Sequence, residues 1–81
     1  MKYRSKTEII SLILDAGNGG VSKTKLMYRT FLSYNQLKEY LPLLMAQGLI
    51  AYEDDNNKIS TTEKGLRILN TYQYISEEFR I

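Results

Sequence analysis

A short connection between two helical segments is the feature that most restricts how this chain can fold. Ser22 can cap a segment that spans about residues 23–29. Ser33 opens a second segment over about residues 33–47, and Gln36 follows it at the spacing of a capping box. Only three residues separate the two segments. A turn of this length sets the second helix across the first and presents its outer face to solvent.

Glycines and hydroxyl residues mark the first helix of the chain. Ser5 and Glu8 have the spacing of a capping box, and the residues that follow are apolar at helical intervals. We expect Gly17 and the Gly19–Gly20 pair to end this helix by taking left-handed backbone conformations. Val21 can then contribute a very short strand.

The second half of the chain reads as a strand, a polar turn, a strand and a last helix. Residues 49–53 and 58–61 predict a β-hairpin, and Thr61 or Thr62 can cap a helix over residues 62–80. All 81 residues are thus expected to form one α+β, mostly α, domain. A three-helix core, a β-hairpin wing and a C-terminal helix follow one another in the order of a winged helix-turn-helix.

Composition argues against catalysis. The chain contains neither cysteine nor histidine, so it has no thiolate nucleophile, no imidazole base and neither of the commonest zinc ligands. We therefore predict no enzymatic activity, no cofactor and no metal site. The longest purely apolar run, Leu43–Ala46, is far shorter than the roughly 20 residues of a membrane span. A cytoplasmic protein is expected.

The net charge of +2 is unevenly distributed. Seven basic and three acidic side chains leave +4 on residues 1–40, whereas four basic and six acidic side chains leave −2 on residues 41–81. A basic half on a small domain is typical of a nucleic-acid-binding protein. The alternative is chance clustering on a solvated surface, because the excess is small.

Several stretches of the sequence together resemble a known family. They are Lys23-Thr24-Lys25-Leu26-Met27-Tyr28, Leu32-Ser33-Tyr34 with Leu37 and Tyr40-Leu41, Gly48-Leu49-Ile50, and Thr61-Thr62-Glu63-Lys64-Gly65-Leu66. Over about residues 3–75 the chain resembles the archaeal winged helix-turn-helix proteins that are predicted transcriptional regulators. Small archaeal chromatin proteins have a similar domain. The resemblance implies a DNA-binding fold and, for some members, dimerisation through the last helix.

Two features depart from the pattern of this family. Pro42 lies inside the third helix, where it removes the hydrogen bond to the Lys38 carbonyl and should bend the helix or loosen its last turns. Its place on the outer face makes a bend tolerable, because the carbonyl can meet water there. The last helix is too short for the long coiled coil of the chromatin proteins, which argues against DNA bridging by that route.

The outer face of the third helix is the candidate base-reading surface. Asn and Gln can pair with adenine, Lys with guanine and Glu with cytosine. The candidates are Tyr34, Asn35, Gln36, Lys38 and Glu39, and the alternative is an ordinary solvated face. Phosphate contact is expected from basic side chains and helix N-termini, with ordinary surface lysines as the alternative. This second set comprises Lys2, Arg4, Lys6, Lys23, Thr24, Lys25, Arg29 and Ser33.

The wing is acidic at its tip, where residues 53–57 carry three carboxylates and only Lys58 offsets them. We therefore expect the wing to lie clear of DNA or to touch it only through Lys58 and the asparagines. A calcium loop is a weak alternative, since the ligand spacing of an EF-hand is missing. Among the tyrosines, Tyr40 and Tyr28 are expected to pack in the core.

The last helix carries an apolar stripe with the spacing of a coiled-coil seam. Its members are Ile68, Tyr72, Ile75 and Phe79, whereas Leu66 and Leu69 lean toward the domain. We predict a homodimer in which these helices pair; the alternative is a helix that folds back over the first helix of the same chain.

Together these observations predict a transcriptional regulator that reads the major groove of double-stranded DNA with the helix over residues 33–47, acting as a homodimer. No small-molecule ligand is evident. Such a protein would be cytoplasmic and associated with the nucleoid. One alternative is a chromatin protein of low sequence specificity. The other is a winged-helix protein-interaction module that does not bind DNA.

Overall fold

Secondary-structure elements follow one another in the predicted order. The computed structural model describes residues 5–53 and 57–79. Its elements are α1 (Lys6–Ala16), β1 (Val21–Ser22), α2 (Lys23–Thr30), α3 (Tyr34–Ala46), β2 (Ile50–Glu53), β3 (Lys58–Thr61) and α4 (Glu63–Phe79). The predicted ends of α2, α3, α4 and the two hairpin strands lie within one residue of the observed ends. The predicted mostly helical winged-helix arrangement is confirmed.

Each helix begins directly after a hydroxyl side chain that accepts a backbone N–H three residues further on. The distances from that N–H to the hydroxyl oxygen are 3.1 Å at Ser5, 3.2 Å at Ser22, 3.1 Å at Ser33 and 3.1 Å at Thr62. At Ser33 the capping box is complete, because the Ser33 N–H donates to Gln36 Oε1 at 3.0 Å. Since each cap contributes about 1 kcal/mol, these hydroxyls fix where the helices start.

The three strands form one antiparallel sheet in the order β1-β3-β2. Val21 in β1 pairs with Ile59 in β3, and Ile59 pairs on its other side with Tyr52 in β2. The sequence predicts the hairpin and a short strand at Val21, but not that this strand joins the hairpin as an outer strand. Through β1 the wing is tied to the residues that begin α2.

The core lies where α1, α2 and α3 meet the hairpin. Its most deeply buried apolar side chains are Ile13, Leu14, Leu26, Leu37 and Ile59. Leu69 of α4 closes the core on the α1 side and is 5% exposed. All three helices of the predicted core and the wing therefore share one apolar interior.

One tyrosine that was expected to pack in the core lies outside it. On α2 the buried positions are Leu26 and Thr30, so Tyr28, which lies midway between them, faces the opposite side and is 77% exposed. The predicted core position of Tyr28 is therefore wrong, whereas Tyr40 is half-buried at the edge of the core as predicted. Met45 lies beyond the inward row of α3 and is 39% exposed, beside the wing.

The end of α1 differs from its prediction in one respect. Gly17 is right-handed, with φ −83°, and the positive φ angles occur at Gly19 and Gly20, at 91° and 86°. A Cβ at position 17 would lie 2.8 Å from Thr61 Oγ1. Gly17 is thus needed for the close approach of α1 to β3, where Thr61 donates to the Leu14 carbonyl at 2.6 Å.

α3 continues through Pro42 to Ala46. Its last turn keeps its hydrogen bonds, since the N–H of Gln47 donates to the Leu43 carbonyl at 3.1 Å and that of Leu49 to the Leu44 carbonyl at 2.9 Å. Of the two predicted effects of Pro42, loosening of the last turns does not occur, and a bend in the helix stays a prediction. Pro42 is exposed, as its position on the outer face predicts.

α4 is seated against the start of the hairpin. Thr62 donates its N–H to the Leu49 carbonyl at 2.9 Å and caps the helix, whereas Thr61 is the last residue of β3. Gly65 lies so close to the same carbonyl that a Cβ would overlap it. This contact sets the direction in which α4 leaves the domain.

Candidate nucleic-acid interface

The predicted base-reading residues form one continuous exposed surface on the first half of α3. All five side chains are exposed: Tyr34, Asn35, Gln36, Lys38 and Glu39. Every one of them except Tyr34 lines a shallow concavity of about 350 Å³. Lys38 Nζ lies 5.9 Å from the centre of the Tyr34 ring, a cation–π distance. The structure therefore brings the whole predicted set together.

Gln36 has a structural task within this surface. Its Oε1 accepts the Ser33 N–H at 3.0 Å, while its own N–H donates to Ser33 Oγ at 3.1 Å. Bidentate pairing with adenine needs the amide oxygen and the amide nitrogen in one plane with the base. The cap holds the Gln36 amide toward the turn instead. Asn35 makes no side-chain hydrogen bond to any residue that the structure describes, and its amide is available to a base.

The predicted phosphate contacts lie mainly at the start of α2. Lys23, Thr24 and Lys25 are all exposed in its first turn. Thr24 and Ser33 line the same groove, of about 550 Å³, so the beginnings of α2 and α3 open toward one side of the domain. Two helix N-termini thus open toward this side, which favours anions, and Lys23 and Lys25 flank Thr24 in the first turn of α2.

The other predicted phosphate contacts are less concentrated. Lys6 is exposed at the start of α1, and Lys2 and Arg4 lie outside the described residues. Arg29 is exposed but donates from Nη1 to the Ala16 carbonyl at 3.4 Å. Its charge therefore stabilises the C-terminal end of α1, where the helix dipole favours a cation.

Lysines near α3 have no carboxylate partner within the part of the chain that the structure describes. The ion pair that these described residues do form lies on α4, where Arg67 Nη2 is 3.7 Å from Glu63 Oε2. Both of its side chains are exposed, so this pair contributes little to stability. No carboxylate among the described residues pairs with Lys23, Lys25 or Lys38, and their positive charge favours a negatively charged partner.

A glutamate lies opposite the lysine of the wing. Glu53 and Lys58 are directly opposed in the ladder between β2 and β3, and both are exposed. The Tyr52 hydroxyl donates to Asn57 Oδ1 at 2.6 Å across the hairpin. Residues 54–56 of the acidic tip lie outside the described residues, and the expected distance of the wing from DNA stays a prediction.

Sequence reasoning missed an exposed aromatic pair beside the turn. Tyr28 is 77% and Phe31 is 82% exposed, and both line the 550 Å³ groove with Met27. Phe31 has a left-handed backbone, with φ 59°, which the chain needs to turn from α2 into α3 within three residues. The helical interval between Leu26 and Thr30 is the signal that could have identified Tyr28 as exposed.

The predicted dimer stripe on α4 is divided between the domain and solvent. Leu69 is buried and Leu66 half-buried, as expected for residues that lean toward the domain. Ile68 and Ile75 are 42% and 39% exposed, and Tyr72 is half-buried. The side chain of the fourth member, Phe79, lies outside the described side chains. α4 packs on α1 and still leaves two isoleucines on its open side.

Known proteins share the architecture of this chain. A family model described as winged helix-turn-helix matches residues 3–79. The crystal structure of Sso10a-2, a DNA-binding protein from Sulfolobus solfataricus, is similar with a TM-score of 0.79 and 23% sequence identity. The match covers 95% of this chain and 86% of that one. No curated protein matches the chain. The predicted resemblance and fold are confirmed.

In residues 5–53 and 57–79, no helix is long and apolar enough to cross a membrane. Within the same ranges, no three acidic side chains gather into a group that could hold a metal ion.

Proposed function

Because this chain belongs to the winged helix-turn-helix family, we propose that it regulates transcription by binding double-stranded DNA as a homodimer. The exposed face of α3 carries the proposal. It is concave and offers both donors and acceptors, and Lys38 on it has no carboxylate partner among the described residues. A polar helix face of this kind fits the major groove of B-DNA. Sso10a-2, which has the same fold, is described as a DNA-binding protein.

Within this face, Asn35 and Lys38 are the main base-reading side chains. Asn35 can pair bidentately with adenine, and Lys38 can donate to guanine acceptors. The Tyr34 ring beside the Lys38 ammonium limits where that long side chain points. Gln36 positions α3 through its cap, and Lys23 and Lys25 contact phosphate from the start of α2.

A binding experiment on selected DNA tests these assignments. Duplexes are first selected from a random pool at moderate salt, and fluorescence anisotropy then compares the selected and a scrambled sequence. Asn35→Ala should reduce the preference for the selected duplex about tenfold, as expected for loss of one bidentate contact. Lys25→Gln should weaken both duplexes about equally and lower the salt slope by about one.

Asn70→Ala is the matched control, because Asn70 is exposed on α4, away from the α3 surface. It should bind both duplexes like the unchanged protein. If Asn35→Ala weakened the selected and scrambled duplexes to the same degree, the base-reading assignment would be wrong. If no duplex were bound in a salt-dependent way, DNA binding itself would be refuted.

The open side of α4 is the proposed dimer contact. Ile68 and Ile75 are separated by seven residues, so they lie on one face, and a two-fold partner would bury both. Ile75→Glu should convert a dimer to a monomer in sedimentation at micromolar concentration. Gln73→Glu, on the opposite side of α4, should leave it dimeric. If the protein without substitutions were a monomer under these conditions, the proposed dimer would be wrong. A dimer also predicts a DNA site with two half-sites about one helical turn apart.

Two observations each favour a different function, and the same DNA selection distinguishes these functions from the proposed one. The engagement of Gln36 in its cap leaves fewer base-reading groups, which favours a chromatin protein of low specificity. The exposed Tyr28 and Phe31 favour a protein-interaction module. Salt-dependent binding without sequence preference would identify the first, and absence of any DNA binding the second.

A further inference from the structure

An open pocket of about 530 Å³ lies between the second half of α3 and the wing. Its apolar lining includes the buried side chains of Leu41 and Ile59. Pro42, Met45 and Tyr52 also line it and are themselves exposed. A surface that meets only phosphate has no need for exposed apolar side chains. The lining therefore suits a partner with an apolar body.

The polar groups in the pocket are cationic hydrogen-bond donors and neutral hydrogen-bond acceptors. Lys23 and Lys38 line it, and neither has a carboxylate partner in the described part of the chain. Pro42 has no N–H, so the Lys38 carbonyl lacks the helical donor that another residue at 42 would supply. The Tyr52 hydroxyl donates its proton to Asn57, which leaves the phenol oxygen as an acceptor. Two cationic donors thus stand over an apolar lining.

We propose that this pocket binds a small organic anion, a carboxylate on an apolar ring or short chain. The carboxylate pairs with the ammonium groups of Lys23 and Lys38, and the apolar body covers Met45 and Tyr52. The volume lies within the usual 300–1,000 Å³ of small-molecule sites. An inorganic anion would leave the apolar lining uncovered, and a neutral molecule would leave the lysines unpaired.

Occupation of the pocket has a consequence that rests on the proposed function. Lys38 lines both this pocket and the concavity on the base-reading face. A carboxylate bound to Lys38 neutralises a charge that DNA would use, and its apolar body fills the space between α3 and the wing. The anion and the DNA therefore compete, and the anion acts as an inducer that releases the protein from DNA.

The test uses 2-naphthoate as the probe, with the full chain labelled with ¹⁵N and observed by NMR. Saturable shifts are expected at the amides of Lys23, Lys38, Met45 and Tyr52. Acetate, which has the charge alone, and 2-naphthalenemethanol, which has the ring alone, should each bind at least about tenfold more weakly. Lys38→Gln should weaken naphthoate about tenfold, by loss of one charge-assisted contact.

Lys25→Gln is the matched control, because it removes the same charge from an exposed residue that does not line the pocket. It should leave naphthoate binding unchanged. Absence of saturable shifts at millimolar naphthoate, shifts elsewhere on the surface, or an equal loss in Lys25→Gln would overturn the site. The amide spectrum of each variant confirms that it is folded.

Competition is measured separately by anisotropy with the selected duplex. Saturating naphthoate should raise the apparent Kd for DNA at least about tenfold, as mass action requires of a competitor at ten times its own Kd. Naphthoate that fills the pocket without changing DNA affinity would overturn the competition. If the protein bound no DNA at all, the proposed function would fail, while the NMR titration would still decide the pocket.

Discussion

Replacing Gly65 by alanine tests how closely α4 must approach the wing. A Cβ at this position would overlap the Leu49 carbonyl oxygen and lie 2.8 Å from Thr61 Cγ2. The Leu49 oxygen is a backbone atom directly before β2, so it cannot move aside as the end of a flexible side chain would. α4 must therefore retreat, and the bond from the Thr62 N–H to the Leu49 carbonyl, now 2.9 Å, is the first to lengthen.

Two unfavourable contributions and one favourable contribution set the change in the free energy of unfolding. An inserted methyl in a well-packed contact costs roughly 1–3 kcal/mol. Loss of the Thr62 hydrogen bond adds about 1 kcal/mol. Replacing glycine by alanine inside a helix stabilises the folded state by about 1 kcal/mol, because alanine has the higher helix propensity. The net expectation for Gly65→Ala is a loss of about 2 kcal/mol, which lowers the Tm of a domain of this size by about 10 °C.

Urea denaturation followed by circular dichroism measures the free energy of unfolding, and Asn70→Ala is the control on the same helix. Asn70 is exposed, so this variant should gain a few tenths of a kcal/mol from propensity alone. If Gly65→Ala were as stable as Asn70→Ala, the close seating of α4 on the Leu49 carbonyl would be refuted.

Further predictions concern the turn and the start of α3. Thr30→Val removes the buried hydroxyl that accepts the Leu32 N–H at 3.4 Å, and it should lower the free energy of unfolding by about 1–3 kcal/mol in denaturation. Thr71→Val is the control, because its hydroxyl donates to the Arg67 carbonyl at 2.9 Å in an exposed position, and it should be nearly neutral. Phe31→Gly should raise stability by about 0.5 kcal/mol, because it relieves left-handed strain at a side chain that is 82% exposed; a loss above this size would contradict that reasoning. Gln36→Glu should keep stability within about 0.5 kcal/mol, because glutamate also completes the capping box, yet weaken DNA binding by anisotropy through its charge. Unchanged DNA affinity would place position 36 away from the duplex.

Local signals predicted the elements because their physics is local. Ser22, Ser33 and Thr62 each cap a helix within three residues of themselves, so the caps can be read from neighbouring letters. The exposed face of α3 follows from the same periodicity, since Leu37 and Leu41 fix the inward side. The candidate base-reading surface could therefore be predicted residue by residue.

The rest depended on contacts between distant residues. The need for glycine at position 17 comes from its close approach to Thr61. Thr61 is distant in the sequence, so no local signal encodes this need. Gln36 has the spacing of a capping box and also the chemistry of a base reader, and the structure shows which bond it makes. The pocket beside the wing joins Lys23, Pro42 and Tyr52 from three elements, so only their packing reveals it.

β1 has two residues, yet it joins the sheet directly to the first residue of α2. Ser22 pairs with Lys58 in the sheet, and the same serine caps α2 through its hydroxyl. No hinge residue separates the sheet from the helix. We therefore expect a displacement of β3 to shift the lysines at the start of α2 as well, so that the hairpin and the helix-turn-helix keep one relative orientation when α2 contacts a duplex.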